Sequence, residues 1–309
     1  MSLTWGSRGW LRATKEATWG TFDGSATVIH WIRLAGDSAF GMYPTPVPYL
    51  INSADSLNEP IQTDAQQIRV GGALVTPLYH SQATDLLAWG LTLQSSGTPA
   101  VYSLNSYTLD HYDGVRTRRY LGVRVASLGI MAPTNGPGML NFSLIGWKPD
   151  SSNPTLAEPA ITDFPTALPY TLQGTLGSLK IGNNTARTKY KSIDFSMANI
   201  LDAPFCEDVY VSDILYCGRN VSLKAQLAYN STMGSTDRTA FEGQTAQTHA
   251  LVVFTQGGNT ITLDLHTKAR LTEFALDSPL GAAKFVNMSL SGMMDSAQTP
   301  DKSFTFTIV

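Results

Sequence analysis

The residues that could do chemistry are dispersed along the chain. None of the five histidines has another histidine or a cysteine at a spacing typical of metal ligands; they are His30, His80, His111, His249 and His266. Two carboxylate pairs, Asp110 with Asp113 and Glu207 with Asp208, are candidates for a general acid and base. Carboxylates in loops are far more often solvated than catalytic, and we find no phosphate-binding loop or nucleophile elbow. The sequence therefore predicts a protein that is not an enzyme and holds no metal or cofactor.

The two cysteines, Cys206 and Cys217, are close enough in sequence to bridge the ends of a loop. We favour two separate buried thiols over a disulfide, because a free cysteine behaves as a small apolar side chain. The first residues lack the apolar segment of a signal peptide, and no apolar run has the length that crosses a bilayer. We therefore expect synthesis in a reducing cytoplasm and no membrane partner.

The charge balance argues against general binding to nucleic acid. The chain of 309 residues has a formal net charge of -3, and only 15% of its residues are charged. A mildly acidic chain has no overall electrostatic attraction to phosphate. Abundant glycine and proline are typical of many strands joined by tight turns, and this length usually gives two domains.

The stretch 116–147 has the strongest strand pattern. Leu121, Val123 and Val125 alternate with small or polar residues, as in a half-buried strand. The alternation slips at residues 126–127, which predicts a β-bulge, and then resumes. A turn follows at 135–138, and a returning strand alternates from residue 140 to 144. The pattern predicts a long antiparallel hairpin with one apolar and one polar face.

A weaker copy of this pattern occurs in the second half of the chain. Residues 187–197 echo the start of the hairpin, and residues 218–227 echo its returning strand. Two interpretations remain open at this point. The chain contains two related β-modules, or the two hairpins are the halves of one four-stranded sheet in a single domain.

Other segments predict how these strands are connected. Residues 81–89 are the best helix candidate of the first half, with Ser81 as its cap and Leu86, Leu87 and Trp89 on its apolar side. Residues 36–65 are rich in proline and predict a long extended loop. We divide the chain into an irregular arm (1–20), a first β domain (21–150), a proline-rich linker (151–169) and a second β domain (170–309).

Three short motifs resemble the tail tube proteins (major tail proteins) of tailed bacteriophages. Residues 15–21 have the sequence KEATWGT, similar to the K-E-x-T-aromatic-G-T opening of many members. Residues 120–128, YLGVRVASL, resemble the family's Y-x-G-x-x-V-x-S-L strand, and residues 192–199, SIDFSMAN, resemble a later strand more loosely. The three motifs occur in the family's order and span most of the chain.

The resemblance implies a mainly β fold, a β-sandwich or half-barrel with a short flanking helix; a tandem duplication of this module is one of the two open interpretations. It implies a structural virion protein that assembles into stacked rings, forming the tube through which double-stranded DNA leaves the capsid without specific binding. The implied partners are further copies of the chain, a tail terminator and distal tail proteins. Assembly would take place in the host cytoplasm. The long chain and its echoed hairpin favour rings of three subunits over rings of six.

On this interpretation the polar face of the hairpins lines the channel, although an ordinary outer surface is an equal alternative. The candidate channel residues are Arg124, Asn141, Ser143, Asp194, Ser196, Ser222, Lys224 and Gln226. Aromatic residues on an irregular arm and a long loop are candidates for contacts between subunits; they are Trp5, Trp10, Trp19, Tyr43 and Tyr49. The competing function is a glycan-binding or glycan-processing β-sandwich with aromatic platforms. We disfavour it because the aromatic residues cluster in the arm instead of recurring along strands.

Overall fold

A computed structural model describes most of the chain. The described residues are 10–35, 38–50, 60–91, 104–112, 115–133, 136–151, 154, 156, 159–171, 179–182, 187, 189–205, 209–231, 233–247, 249–265, 268–277, 284–293 and 304–308.

Strands dominate the described residues, which confirms the predicted mainly β fold with a short helix. The strands are β1 (Trp10–Lys15), β2 (Ile29–Ile32), β3 (Ala39–Leu50), β4 (Pro60–Pro77), β5 (Tyr107–Tyr112), β6 (Thr117–Pro133), β7 (Met139–Gly146), β8 (Lys148–Pro149), β9 (Leu179–Gly182), β10 (Tyr190–Asp202), β11 (Leu215–Ala228), β12 (His249–Gln256), β13 (Asn259–Asp264), β14 (Arg270–Asp277), β15 (Phe285–Ser291) and β16 (Thr305–Ile308). The α-helices are α1 (His80–Leu91) and α2 (Arg238–Glu242), the latter continuing a π-helical turn at Met233–Asp237.

One large antiparallel sheet organises the molecule. Eight of its strands lie side by side in the order β3-β4-β7-β6-β10-β11-β15-β14. The long strand β6 joins two regions, because its first half also pairs with β5, which continues to β1 and β2. A separate four-stranded sheet has the order β16-β13-β12-β9. The apolar face of the large sheet packs against this smaller sheet and against α1, as shown by the ring contacts Phe195–Phe304 and Phe142–Trp89.

The predicted central hairpin and its bulge are confirmed. Strands β6 and β7 pair antiparallel, and their register shifts between Val125 and Ser127. The bulge keeps Val125 on the apolar face and returns Leu128 and Ile130 to it; all three are buried. One extra residue is enough for this because side chains alternate with a period of two.

The predicted helix is confirmed as α1, which begins at His80, one residue before the predicted cap. Leu86, Leu87 and Trp89 are buried as expected. The Trp89 indole donates a hydrogen bond of 3.1 Å to the Val123 carbonyl, which fixes the helix across β6.

The predicted extended loop at 36–65 is wrong over residues 39–50 and 60–65, which lie in the paired strands β3 and β4; residues 36–37 and 51–59 lie outside the described residues. Pro44, Pro46 and Pro48 occupy alternate positions of β3, so their nitrogen atoms all lie on one edge of the strand. A strand can carry such prolines when that edge faces away from its partner. β3 is an edge strand of the described sheet, so it meets this condition.

Two further predictions need correction, one on the cysteines and one on the N-terminal arm. Cys217 lies exposed on β11, so the prediction of a buried thiol is wrong for this residue; Cys206 lies outside the described residues. Residues 10–15 of the predicted irregular arm form β1, which pairs with both β2 and β5 and buries Leu11 and Ala13.

The two halves of the eight-stranded row have the same strand order. In the first half, the hairpin β3–β4 is followed by α1, then by β5 and the hairpin β6–β7, and the strands of the row lie as β3-β4-β7-β6. In the second half, the hairpin β10–β11 is followed by α2, then by β12 and β13 of the smaller sheet and by β14–β15, and the strands of the row lie as β10-β11-β15-β14. Helix α1 contacts β6, and α2 contacts β14. The topology therefore matches β6–β7 with β14–β15, whereas the sequence echo matched it with β10–β11.

Register and sequence support this correspondence. β14 has a register shift between Leu271 and Glu273, at the same place against β15 as the β6 bulge against β7. Residues 139–146 have the sequence MLNFSLIG, and residues 285–292 have the sequence FVNMSLSG, with Asn, Ser, Leu and Gly at matching positions. The sequence echo was misplaced because any two amphipathic hairpins share the same alternation.

Candidate channel face and subunit contacts

The eight candidate channel residues all lie on one face of the large sheet, opposite the core. Cross-strand partners show this directly: Asp194 lies opposite Lys224, and Ser196 lies opposite Ser222. Their neighbours in sequence, such as Phe195 and Leu223, point to the core and are fully buried. The row continues through Gly129 to Asn141, so the polar face crosses from the second half of the sheet into the first without interruption.

Small polar side chains give this face a smooth central region. The Ser196 and Ser222 hydroxyls are 2.7 Å apart and share a hydrogen bond. Around them lies a shallow concavity of about 550 Å³, lined in part by Ser127, Asn141, Ser143, Ser196, Asn220 and Ser222. Hydroxyl and amide groups offer hydrogen bonds to water but carry no charge.

The charged pair on this face is partly desolvated. Burial raises the pKa of Asp194 above its ordinary value of 3.8, and the charge of Lys224 opposes that shift. Lys224 itself is exposed. The pair thus adds little net charge to the polar face.

Arg124 lies at the margin of the face and is held by its own subunit. Its guanidinium donates to the Ile214 carbonyl and lies 3.7 Å from an Asp213 carboxylate oxygen. It also lies over the Trp19 ring, 5.2 Å from the ring centre. Burial lowers the pKa of Arg124, and the charges of Asp213 and Glu16 oppose that shift. The side chain therefore fixes the loop before β11.

The candidate subunit contacts fall into four groups. Trp10 is buried in its own subunit, stacked on Tyr112 and edge-on to Trp31, so it is not available to a neighbour. Trp19 is half-buried against Trp147. Tyr43 is 49% exposed on the edge strand β3. Trp5 lies outside the described residues, as does the side chain of Tyr49.

Sequence analysis missed a buried carboxylate that ties three segments together. Glu16 accepts hydrogen bonds from the Gly20 amide (2.8 Å), the Thr108 hydroxyl (2.8 Å) and the Gly122 amide (2.9 Å). It is nearly inaccessible to solvent. A carboxylate accepting several donors is one of the stronger arrangements available to a buried charge. Glu16 therefore fastens the turn after β1 to both β5 and β6.

The same turn packs against two tryptophans. The Trp19 indole donates to the Gly122 carbonyl at 3.2 Å, and the Trp19 and Trp147 rings pack at a tilt with their centres 5.1 Å apart. Gly122 has a φ of +64°, in the left-handed region that favours glycine. A Cβ on Gly20 would lie 2.5 Å from the Trp147 ring, so that position also excludes a side chain. These residues form a lock between β1, β6 and β8.

Asp110, one of the acid–base candidates, is a structural residue in β5. It is fully buried, and its carboxylate receives hydrogen bonds from Arg119 at 2.7 Å and from Arg12 at 3.0 Å. Its proposed companion Asp113 lies outside the described residues, as do Glu207 and Asp208. Arg12 and Arg119 hold the Asp110 carboxylate in a buried ion-pair cluster, which ties β5 to β1 and β6.

The comparison with known families decides the identity. The sequence model of the phage tail tube protein family matches residues 6–306. The chain belongs to this family. It is a structural tail tube protein of the phage virion, and the resemblance found in the sequence motifs is confirmed. No curated protein matches the chain significantly.

The structure gives a physical meaning to the motifs that carried the resemblance of this tail tube protein. Residues 15–21 supply Glu16, Trp19 and Gly20, and residues 120–128 supply Gly122, the partner of both Glu16 and Trp19. The motifs therefore mark a set of contacts that stabilise the fold. Within the described residues, no helix has the length and apolar character needed to cross a membrane, and no cluster of three or more metal-ligand side chains occurs.

Proposed function

We propose that this tail tube protein assembles into rings that stack into the tail tube, with the polar face of its large sheet lining the channel. The observation that carries the proposal is the eight-stranded antiparallel row with one continuous polar face and a strand edge at each end. Several such sheets, joined edge to edge, close into a barrel and leave no unpaired edges. The tube conducts double-stranded DNA on ejection, and its ends contact a tail terminator and distal tail proteins.

The strand order favours three subunits in each ring. Each chain contributes two four-stranded units of the same topology, covering residues 21–150 and 170–309, so three chains present six equivalent units. Three eight-stranded sheets form one barrel, and its strand number is fixed by the channel diameter. The proline-rich linker 151–169 connects the two units.

The chemistry of the polar face suits passage of DNA without retention. Each ionic contact to a phosphate releases counterions and adds salt-dependent affinity. Serine and asparagine dominate the centre of the face, and the Asp194–Lys224 pair balances its own charge. A DNA duplex would therefore pass through the channel without meeting a continuous row of basic side chains.

Negative-stain electron microscopy of the purified chain at high concentration tests this function. We expect rings or tubes with a central channel and three-fold symmetry in end-on views. Particles that remain monomeric at every concentration would refute assembly. Rings of six chains would refute the two-unit arrangement and leave the tube function in place.

A further inference from the structure

The junction between the two halves of the sheet and the two ends of the eight-stranded row are built from corresponding strands. Within the described residues, β3 has β4 as its strand partner, and β14 has β15 together with a single bridge from Arg270 to Ala246. These two strands form the ends of the eight-stranded row. By the shared strand order, β14 corresponds to β6 and β3 corresponds to β10. Inside the chain, β6 and β10 are direct antiparallel neighbours.

Sequence supports the match between the two edge strands and the two junction strands. Carrying the register of β3–β4 and β4–β7 onto β10–β11 and β11–β15 places Phe40 on Phe195 and Met42 on Met197. Carrying the bulge of β6 onto that of β14 places Leu128 on Phe274 and Ile130 on Leu276. In each of these four pairs both residues are apolar.

In these pairs the residue at the internal junction is more buried than its counterpart at the strand edge. Ile130 and Met197 are fully buried at the internal junction, whereas their edge counterparts Leu276 and Met42 are 48% and 37% exposed. Apolar side chains next to an open strand edge mark a surface that another strand covers. Each edge thus lacks the neighbour that its counterpart has.

We propose that β14 of one subunit pairs antiparallel with β3 of the next copy in the register of the internal β6–β10 junction; this rests on the proposed ring assembly. Phe195 lies opposite Ile130 and Met197 lies opposite Leu128 inside the chain. The equivalent pairs between subunits are Leu276 with Phe40, Phe274 with Met42, Ala275 with Gly41 and Glu273 with Tyr43. Apolar residues then face apolar residues on the core side, and polar or small residues meet on the channel side.

The prolines of β3 lie just beyond the residue at which the proposed pairing of β14 with β3 ends. Internal pairing of β10 with β6 ends at Ala198, which corresponds to Tyr43. The next residue of β3 is Pro44, and the nitrogens of Pro44, Pro46 and Pro48 lie on the free edge, where they have no hydrogen to donate. The edge is therefore open to a partner strand over residues 39–43 and blocked beyond them.

Paired cysteines test the register in the assembled full-length chain. In a background with Cys206→Ser and Cys217→Ser, the variant Gly41→Cys with Ala275→Cys places two thiols opposite each other across the proposed junction. An added Cβ at Gly41 meets no atom within 4 Å, so this substitution fits the fold. The pair Gly129→Cys with Ser196→Cys occupies the same position inside the chain and is the positive control. The pair Ala39→Cys with Ala275→Cys, one side-chain step out of register on the same face, is the matched negative control.

After mild oxidation of assembled protein, we expect non-reducing gels to show covalent dimers and closed multimers for the Gly41–Ala275 pair. Their yield should exceed that of the Ala39–Ala275 pair by about fivefold or more, because a disulfide tolerates only a narrow range of Cα separations. Rings or tubes seen by microscopy without this cross-link, or with equal yields from both pairs, would overturn the proposed junction while leaving the tube function standing. Protein that forms no rings under any condition would overturn both.

A second variant tests the junction without oxidation. Leu276→Asp introduces a charge at an exposed edge residue, so the subunit should fold with an unchanged circular dichroism spectrum. It should fail to form rings by microscopy. Leu168→Asp, at a residue 79% exposed in the segment between the two units, is the control and should assemble normally. Normal rings from Leu276→Asp would overturn the proposal.

Discussion

At the scale of single residues, the buried polar groups of this tail tube protein act as fasteners. Glu16 satisfies two backbone amides and a hydroxyl from three separate segments, and Asp110 is held between Arg12 and Arg119. Arg187 and Asp237 form another buried pair in the second half, with hydrogen bonds of 2.9 Å. Removing one member of such a group costs more than the bond itself, because the remaining partners stay buried and unpaired.

Replacement of Glu16 should destabilise the subunit strongly. Glu16→Ala leaves three buried donors without an acceptor and should lower the free energy of unfolding by about 3 kcal/mol or more. Glu16→Gln keeps one acceptor oxygen and should cost about 1–2 kcal/mol. Urea denaturation followed by tryptophan fluorescence measures both. Glu242→Ala, which removes an exposed partner of Arg238, is the control and should have almost no effect; equal losses from Glu16→Ala and Glu242→Ala would contradict the lock.

Asp194 should make stability depend on pH. Its pKa is raised in the folded state, so the fold binds the Asp194 proton more tightly than the unfolded chain does. The resulting stabilisation is complete below the ordinary pKa of 3.8 and is lost as the pH rises through the higher pKa of the folded protein. Asp194→Asn removes this loss and should raise the free energy of unfolding at neutral pH by under about 1 kcal/mol.

Thermal denaturation across a pH series measures the Asp194 effect. With Lys224→Gln as background, the attraction that opposes the pKa shift is gone, and the gain from Asp194→Asn should be larger. A clear loss of stability in Asp194→Asn at neutral pH would mean that attraction to Lys224 outweighs the burial of the carboxylate.

At the scale of elements, long strands and one helix set the position of the polar face. Strand β6 is long enough to pair with β7 along one edge and with β5 and then β10 along the other. Helix α1 lies across its apolar side, where Trp89 contacts Tyr107 and Phe142 at ring-centre distances of 4.7 and 5.7 Å. The helix thus shields part of the apolar side of the sheet from solvent, and the opposite side forms the polar face.

Truncation of Trp89 should release α1 from the sheet. Trp89→Ala removes a fully buried ring and should lower the free energy of unfolding by about 3–5 kcal/mol. Trp89→Phe retains the packing of one ring but loses the hydrogen bond to the Val123 carbonyl, for a loss of about 1–2 kcal/mol. Chemical denaturation gives both values. Thr84→Ala, at an exposed position of the same helix, should be nearly neutral; a similarly small effect of Trp89→Ala would show that α1 is not anchored through this ring.

At the scale of the whole molecule, both halves of the sheet share one core and one polar face. The buried cluster includes residues from β1 to β16, so the two four-stranded units are joined by packing as well as by the β6–β10 ladder. The apolar side of the large sheet is covered by α1 and the smaller sheet. We propose that β3 and β14, at the two ends of the eight-stranded row, are the strands through which subunits join.

The channel assignment predicts selective protection in assembled tubes. In a background with both natural cysteines replaced by serine, Ser143→Cys should react with a small maleimide in free subunits and in tubes. A bulky polymer-linked maleimide should label it only in free subunits, because a stacked channel admits large reagents at its ends alone. Leu168→Cys, at an exposed residue outside the strands of the large sheet, should react with both reagents in both states. Full labelling of Ser143→Cys by the bulky reagent in tubes would place the polar face on the exterior.

The sequence by itself determined the features that depend on near neighbours. The alternation of 121–125 and 140–144 predicted the β6–β7 hairpin, its slip predicted the bulge, and the apolar spacing of 81–89 predicted α1. These patterns are local because burial of one face imposes a period of two on a strand and about 3.6 on a helix. The short motifs at 15–21 and 120–128 were enough to suggest the family.

Only the tertiary structure decided which strands pair and which side chains are covered. The prolines of 44–48 predict a loop until β4 is found alongside, because an edge strand needs donors on one side only. The sequence suggests that Trp10 belongs to a free arm, whereas in the fold its ring packs against Tyr112 and Trp31. The equivalence of β6–β7 with β14–β15 also depends on strand order, since amphipathic hairpins share one alternation whatever their neighbours. Strand pairing joins residues that are far apart in sequence, so the periodicity within one strand does not identify its partner strand.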